Sequence, residues 1–227
     1  MVSRDDYRDA YGRFMEGREL PDEIEQKRLA SIRRANIIKA DLRPTPTLAY
    51  ILGVMLGDGC SDHHRCYYRL RLKVTKKEFA EEFARNLKKL GLRPSIGMEK
   101  QSKHAFGNKS LWVTTAHSKR FYEWFSKLSL ANIREILLMD IQNIRGFLKG
   151  FYESEGCCSK KKKYLNFSNT QMELILLVQE QLVNLGYYFH FRSVKKQTCI
   201  EHRLEIFKQD EVKRFLLEMN PCIKRGD

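Results

Sequence analysis

The sequence predicts an α+β protein built from two copies of one αββαββα unit, related by a pseudo-twofold axis. Three observations lead to this class. An apolar run that ends in a lone acid and a glycine occurs twice, at Asp58 and at Glu155. Polar and apolar side chains alternate after each run, as they do in strands with one buried face. The later helix pattern also repeats, with its terminal glycines, Gly91 and Gly186, 95 residues apart.

Each apolar run predicts a helix with one face of small residues. Gly53 and Gly57 lie four residues apart, as do Gly150 and Ser154, so each pair occupies a single helix face. We therefore expect the two helices to pack side by side with their backbones close together. The acid that closes each run lies where the helix dipole disfavours negative charge. Packing the helices would bring the two acids together, and such a pair favours a bound cation.

The residues after each motif helix predict strands with a polar outer face. Apolar side chains alternate with polar ones in residues 67–74 and, less regularly, in residues 163–169. Arginine, asparagine, serine and tyrosine are side chains that hydrogen-bond base edges and phosphates. A solvated antiparallel sheet gives a similar pattern, so both interpretations stay open here. The outer faces carry Tyr67, Arg69, Arg71 and Lys73 in the first copy and Tyr164, Asn166 and Ser168 in the second.

The remaining elements of each unit follow in order. A helix is expected to begin at Thr75 or Thr170, as its N-cap, and to end at Gly91 or Gly186. Two strands and a last helix complete the unit. These are expected at 95–99, 110–115 and 116–128 in the first copy and at 188–195, 200–207 and 210–219 in the second.

Four segments are expected along the chain. An N-terminal helical extension (1–45) precedes the first repeat (46–128), which a helical linker (129–143) joins to the second repeat (144–227). In the extension, Asp22 and Glu25 have the spacing of a capping box before a helix rich in Lys and Arg. This helix is either an arm that contacts nucleic acid or a helix packed outside the first repeat.

Charge and composition indicate the partner and the compartment. The chain has 42 Lys and Arg against 28 Asp and Glu, a net charge of +14, which predicts a polyanionic partner, most often nucleic acid. No apolar run approaches the roughly 20 residues that span a bilayer, and no secretory signal is evident. We therefore expect an intracellular protein, cytoplasmic or in an organellar matrix, that does not contact membranes. The six cysteines have no CxxC spacing, so free thiols are expected rather than zinc ligands.

Residues 50–59 and 147–156 resemble the two motifs of the LAGLIDADG homing endonucleases in their single-chain form. The resemblance extends over about residues 46–225 through the strand order and the internal repeat. It implies two antiparallel four-stranded sheets that form a saddle over double-stranded DNA, with the motif helices at the centre. It also implies a monomer without an obligate protein partner, which hydrolyses one phosphodiester on each strand of a long pseudo-palindromic site.

The resemblance implies a metal site at the ends of the motif helices. Asp58 and Glu155, with Gly57 and Ser154 beside them, would bind Mg²⁺, and Mn²⁺ or Ca²⁺ would occupy the same sites. A hard cation with oxygen ligands suits phosphodiester hydrolysis, because it polarises the phosphate and generates hydroxide.

The resemblance also implies catalytic and DNA-contacting side chains. Lys76 and Gln171 match the polar residues that the family places near the attacking water, although each is also an ordinary first-turn residue of a helix. A lysine that assists the reaction is expected at Lys160 or Lys224, and the sequence does not decide between them. Contacts to DNA are expected from Tyr67, Arg69, Arg71, Lys73, Lys160, Lys161, Lys162, Tyr164, Asn166, Ser168, Arg192, Lys195 and Arg203.

A second hypothesis keeps the same fold without the nuclease. A LAGLIDADG-type RNA-splicing maturase, or a DNA-binding protein that does not cleave, would have the same basic sheets, because a fold does not determine its function. A chain released from catalysis can lose one of its acids, whereas this sequence keeps both Asp58 and Glu155. Retention of both acids favours the nuclease.

Overall fold

The computed structural model describes residues 21–26, 40–64, 67–99, 110–159 and 164–224. The chain forms two compact units, residues 1–39 and 40–227. Residues 22–26 of the first unit are helical, and most of the expected extension helix lies outside the described residues. All elements named below belong to the second unit. Of the helices that the structure describes, none is long and apolar enough to cross a membrane.

The second unit contains two repeats with the same order of elements. The first repeat comprises α1 (Pro46–Leu56), β1 (Gly59–His64), β2 (Tyr67–Val74), α2 (Lys77–Lys89), β3 (Ser95–Glu99), β4 (Leu111–His117) and α3 (Lys119–Phe125). Helix α4 (Leu130–Leu138) follows it. The second repeat comprises α5 (Ile141–Glu155), β5 (Gly156–Ser159), β6 (Tyr164–Asn169), α6 (Met172–Asn184), β7 (His190–Lys195), β8 (Ile200–Ile206) and α7 (Gln209–Met219).

Each repeat contributes one antiparallel four-stranded sheet. The strand orders are β1-β2-β4-β3 and β5-β6-β8-β7, so the second sheet repeats the topology of the first. In β2, Leu70, Leu72 and Val74 are buried and Tyr67 and Lys73 are exposed, which is the alternation that the sequence predicts. The predicted α+β class and its duplicated unit are confirmed.

Helices α1 and α5 form the centre of the unit. The Thr45 hydroxyl caps α1 by accepting a 3.2 Å hydrogen bond from the Leu48 amide, and Pro46 occupies its first turn. Asp140 caps α5 through a 2.8 Å hydrogen bond from the Gln142 amide. Every residue of α1 from Leu48 to Met55 is buried, as expected for a helix that is surrounded by protein.

The two central helices pack backbone against backbone. A Cβ atom added to Gly53 would lie 2.7 Å from the Phe151 amide nitrogen, and one added to Gly150 would lie 3.1 Å from the Val54 amide nitrogen. One added to Gly57 would lie 3.1 Å from Glu155 Cγ. Any side chain larger than hydrogen would push the helices apart, so glycine sets their spacing.

Gly146 extends this helix contact by one turn beyond Gly53, Gly57, Gly150 and Ser154, the small residues predicted to form it. A Cβ atom at Gly146 would overlap the carbonyl group of Pro46. Gly146 lies four residues before Gly150, so it continues the same helix face. The close approach therefore runs from the start of α1 to its end.

Some element boundaries differ from the expected ones. Thr75 and Thr170 are not N-caps: the caps of α2 and α6 are Lys76 and Gln171, and neither makes a side-chain capping bond. A threonine one position before the cap is too early to reach the free amides of the first turn. Helix α3 is also shorter than residues 116–128, because β4 continues to His117 and the Ser118 hydroxyl accepts a 3.1 Å hydrogen bond from the Phe121 amide.

Other sequence expectations agree with the structure. Gly91 and Gly186 follow α2 and α6 with left-handed φ angles of 86° and 67°, as is common after a helix end. The five cysteines in the described ranges, Cys60, Cys157, Cys158, Cys199 and Cys222, form no disulfide. The thiols therefore add no cross-link to this part of the fold.

Candidate active site and nucleic-acid interface

Asp58 and Glu155 lie side by side at the ends of the central helices. Glu155 is the last residue of α5, and Asp58 follows α1 by two positions. The contact of Gly57 with Ser154 and Glu155 holds the two ends together. The negative charge of Asp58 raises the pKa of Glu155, so each carboxylate lies in the field of the other.

Burial dominates the electrostatics of both acids. It raises the pKa of Asp58, and the positive charge of Lys224 opposes this rise only in part. Burial is also the largest cause of the raised pKa of Glu155; Lys224 and a hydrogen bond from Asn169 act in the opposite direction. In the folded protein the negative charges of the two carboxylates are therefore balanced only in part by nearby positive charge. A bound cation would balance them further.

Lys224 brings an ammonium group to the two acids. Its Nζ atom donates a 2.6 Å hydrogen bond to the Ser154 carbonyl oxygen, in the last turn of α5. Burial lowers the pKa of Lys224, while the charges of Asp58 and Glu155 raise it. Of the two lysines offered by the sequence, Lys224 lies at the site and Lys160 lies outside the described residues.

A cleft of about 770 Å³ opens at this position. Asp58 and Lys224 line it, as do Lys73 and Lys76 from the end of β2 and the residues after it. Three lysines thus line the same cleft as Asp58, and the charge of Lys224 acts on its carboxylate. A polyanion that enters the cleft meets cationic groups next to an acid.

Gln171 occupies the same place in the second repeat as Lys76 in the first, since each is the N-cap of the helix that follows the second strand. It is exposed, and its backbone amide donates a 2.9 Å hydrogen bond to the Asn169 side chain. Asn169 in turn hydrogen-bonds Glu155. Asn169, at the end of β6, thus brings a polar side chain to the second acid. The internal repeat gave no signal for Asn169, because its counterpart in the first repeat is Val74.

Carboxylates pair with the basic residues on the outer face of the first sheet. Asp62 lies opposite Arg69 in the β1–β2 register. Its oxygens lie 2.6 Å from Arg69 Nε and 3.5 Å from Arg71 Nη2. Lys73 Nζ lies 2.6 Å from a Glu99 oxygen. These acids hold three cationic side chains in fixed positions along β2.

The second sheet has a similar set of ion pairs. Arg192 pairs with Glu205 at 2.7 Å, and Arg203 and Lys196 both pair with Glu201, at 2.7 and 2.5 Å. Arg192 and Arg203 are opposite each other in the β7–β8 register and so share a sheet face. Arg192, Arg203 and Lys196 are thus each paired with a nearby acid.

Other predicted contact residues lie in varied environments. Tyr164 and Ser168 are half-buried, whereas Asn166 is 7% exposed and its Oδ1 atom has no hydrogen-bond partner in the described part of the chain. Lys195 points to the opposite face from Arg192, because it is three residues further along β7. Lys160, Lys161 and Lys162 lie outside the described residues.

Substitution of Glu201 by glutamine should destabilise the protein at neutral pH. Burial raises the pKa of Glu201, but hydrogen bonds from Arg203 and Lys196 outweigh it and lower that pKa from 4.5 to about 2. A lowered pKa stabilises the fold above the unfolded value and loses this effect as the pH falls towards the folded value. We expect Glu201→Gln to lower the free energy of unfolding by about 1 kcal/mol at pH 7, with no difference near pH 2. Urea titrations across this range test this, with exposed Glu173→Gln as the control. Equal destabilisation at pH 7 and pH 2 would contradict it.

The fold and the site together define a class: a duplicated αββαββα protein with one carboxylate at the end of each central helix. Two family matches agree with this class. The family described as LAGLIDADG-like domain matches residues 142–220. The WhiA LAGLIDADG-like domain matches residues 47–110. One match falls in each repeat, and together they span more than half of the chain.

Two relatives come from Methanocaldococcus jannaschii, and both are described as uncharacterised. MJ0314 is 34% identical over 157 residues, which are 66% of this chain and 59% of the relative. The chain therefore spans about three fifths of the length of MJ0314. MJ0398 is 29% identical over 205 residues, 82% of this chain and 70% of the relative.

Solved structures show the same fold. Mesophilic variants of the homing endonuclease I-DmoI match with a TM-score of 0.57 and 22% identity, over 78% of this chain and 96% of theirs. I-DmoI in complex with DNA and Mn matches with a TM-score of 0.57 and 21% identity, over 78% and 97%. The N-terminal LAGLIDADG domain of DUF199/WhiA matches with a TM-score of 0.55 and 16% identity, over 77% and 80%. The chain belongs to the LAGLIDADG family and carries two motifs.

Proposed function

We propose that the protein is a site-specific, metal-dependent DNA endonuclease that acts as a monomer and cuts both strands of a long pseudo-palindromic site. One observation carries this proposal: Asp58 and Glu155 lie together at the ends of paired helices, and burial raises the pKa of both. Two carboxylates whose charges are only partly balanced do not help the protein to fold. They suit a reaction that uses a cation to act on a polyanion.

The donor set of the site fits a hard divalent cation. The site offers the carboxylates of Asp58 and Glu155 to a metal. No group of three or more His, Cys, Asp and Glu side chains suited to a metal occurs among the described residues. Magnesium retains several waters and shares its coordination with substrate phosphates, so two carboxylates suffice. The complex of I-DmoI with DNA and Mn supports the same class of cofactor. We propose Mg²⁺, with Mn²⁺ or Ca²⁺ able to take its place.

Each side chain of the site has its own role in the proposed reaction. Asp58 and Glu155 would hold the cation against the phosphodiesters to be cut, one on each strand. When bound, the cation supplies a Lewis acid that lowers the pKa of water and neutralises developing charge. The Lys224 ammonium would stabilise negative charge at a phosphate oxygen or protonate a leaving oxygen. Lys76 lines the same cleft and would orient water or hold the phosphate.

A selection followed by a cleavage assay tests the proposal. Duplexes with a randomised centre are bound to the protein in Ca²⁺, enriched over several rounds, and then incubated with Mg²⁺ or with EDTA. We expect Mg²⁺-dependent cuts on both strands at one fixed position in the enriched sequence. Enrichment without any cleavage in Mg²⁺ or Mn²⁺ would reject the nuclease.

Release of the basic residues held by Asp62 should strengthen non-specific DNA binding. In Asp62→Asn the side chains of Arg69 and Arg71 lose their carboxylate partner and become available for phosphates. Each added phosphate contact steepens the slope of log K against log salt by about 0.9, so we expect a change of about 1 to 2. Fluorescence anisotropy with a random duplex at several salt concentrations measures the slope. Asp210→Asn, an equal charge change in α7, is the control, and an unchanged slope for Asp62→Asn would contradict the prediction.

A second candidate function is nucleic-acid binding without cleavage, as a DNA-binding protein or an RNA-splicing maturase. The observation that favours it is Lys224, whose ammonium group offsets part of the acid pair without any metal. The family match in the first repeat is to the WhiA domain, which agrees with either function. Under this hypothesis, binding in the selection assay would be the same with EDTA as with Mg²⁺.

A further inference from the structure

We propose that Glu153 and Tyr50 are positioning residues that hold Lys224 at the acid pair. Glu153 binds residues 220–224, here called the tail segment, and Tyr50 binds Glu153. The consequence for cleavage rests on the proposed nuclease function. The positioning itself does not, so it is open to a separate test. Neither Glu153 nor Tyr50 is one of the two acids that end the motifs, Asp58 and Glu155.

Three consecutive residues of α5 bind the tail segment. Glu153 Oε1 accepts a 2.6 Å hydrogen bond from the Cys222 amide. The Tyr152 hydroxyl donates a 2.7 Å hydrogen bond to the Lys224 carbonyl oxygen. The Ser154 carbonyl oxygen accepts the 2.6 Å hydrogen bond from Lys224 Nζ. The tail segment is thus held at the Cys222 amide and at both the backbone and the side chain of Lys224.

Glu153 connects the tail segment to the contact between the central helices. Its second oxygen, Oε2, accepts a 2.6 Å hydrogen bond from the Tyr50 hydroxyl of α1. Glu153 is fully buried and Tyr50 is 2% exposed, so these bonds are shielded from water and geometrically demanding. The position of Lys224 therefore depends on α1, on α5 and on the carboxylate that joins them.

The tail backbone is shaped for this contact. Asn220 and Lys224 both have left-handed φ angles, of 42° and 59°. For residues other than glycine and asparagine this conformation is unfavourable, and it persists only where surrounding contacts fix it. Asn220 adopts it as the C-cap of α7, where asparagine is common, so it is the left-handed φ of Lys224 that indicates a backbone held by the bonds from α5.

The first repeat has no carboxylate at the position that matches Glu153. In the alignment that matches Asp58 with Glu155, the counterpart of Glu153 is Leu56. The counterpart of Lys224, in the alignment that matches Phe121 with Phe215, is Leu130. The first repeat therefore folds with an apolar residue in place of the carboxylate. A buried carboxylate is costly to desolvate, so its presence only where a lysine tail follows supports a positioning role.

Chemical reactivity of Lys224 tests the positioning without any cleavage. Reductive methylation, read by mass spectrometry of peptides, compares Lys224 with the exposed Lys213 in the same sample. We expect Lys224 to react at least about 5-fold more slowly than Lys213 in the wild type, because its nitrogen is bonded and half-buried. Glu153→Leu, the residue of the first repeat, should remove most of this protection. Glu153→Gln, which keeps an acceptor for the Cys222 amide, should retain it.

A double-mutant cycle tests the consequence for the reaction. We expect Lys224→Met to slow cleavage of the selected duplex about 100-fold, and Glu153→Leu to slow it about 10-fold. If Glu153 acts through Lys224, the double variant is no slower than Lys224→Met alone. Tyr50→Phe, which removes only the hydroxyl, should show the same non-additivity with a smaller single effect.

The outcomes separate the two proposals. Multiplicative effects in the cycle, or equal methylation of Lys224 in the wild type and in Glu153→Leu, would overturn the positioning role. A wild type that protects Lys224 but cuts no DNA would leave the positioning intact and reject the nuclease. Melting curves identify a variant that fails to fold, and Glu153→Gln and Tyr50→Phe then supply the comparison.

Discussion

Asp58→Asn and Glu155→Gln are each expected to lower double-strand cleavage by about 1000-fold or more while leaving DNA affinity within about 2-fold. Each change keeps the shape of the side chain and removes its negative charge. Within the described part of the chain the site offers two carboxylates to a cation, so the loss of one halves the number of carboxylate ligands. The sheet faces that would contact DNA lie on other elements and keep their side chains.

Plasmid cleavage measures this prediction. Supercoiled DNA that carries the selected site reports nicked and linear products separately, and filter binding in Ca²⁺ reports affinity. Because the two acids differ and have different neighbours, Lys224 near both and Asn169 at Glu155 alone, the two variants should leave different amounts of nicked product. Linear product at the wild-type rate in either variant would reject the assignment.

The same variants should be at least as stable as the wild type at neutral pH. Burial raises the pKa of both acids in the folded state, and a raised carboxyl pKa stabilises the fold at low pH and loses that effect as the pH rises through the folded pKa. Near pH 7 the charged acids are therefore unfavourable, and removing either charge relieves the fold. The difference should vanish at pH values below the unfolded pKa, 3.8 for Asp58. Thermal melts at several pH values measure this, and they also show that lost cleavage is not lost folding.

The central helices were predictable from the sequence because their information is local. Small residues at four-residue spacing define a helix face from the order of the residues alone, and Gly146 extends that spacing by one more step. The alternation in β2 likewise shows which side chains share a face. These features depend on residues that are neighbours in the chain.

The ion pairs and the tail contacts could not be predicted because they depend on non-local geometry. Asp62 meets Arg69 only in the observed β1–β2 register, and a shift by one residue would send it to the other face. Lys224 reaches Ser154, 70 residues away, through a path that the tail backbone sets. Glu153 is visible in the sequence as an extra acid beside Glu155, but its partner is an amide group, which has no sequence signal.

Gly53→Ala and Gly150→Ala are expected to destabilise the protein by about 3 kcal/mol each. The added methyl groups would overlap backbone atoms of the opposing helix, which have no rotamer to change. The helices must move apart, and the buried side chains around them lose contacts. For a chain of this size the loss corresponds to a fall in melting temperature on the order of 10 °C. Gly97→Ala is the matched control, since a Cβ atom there meets nothing within 4 Å.

The glycine variants also test whether helix spacing sets the distance between the acids. If it does, the folded fraction of Gly53→Ala should cleave about 10-fold or more slowly than the wild type, because a misplacement of about 1 Å is costly for catalysis. This differs from Asp58→Asn, which removes cleavage without loss of stability. Assays well below the melting temperature, corrected for folded protein by circular dichroism, separate the two effects. Full activity in a destabilised Gly53→Ala would mean that the glycines serve packing alone, and that the acids are positioned by the chain that follows each helix.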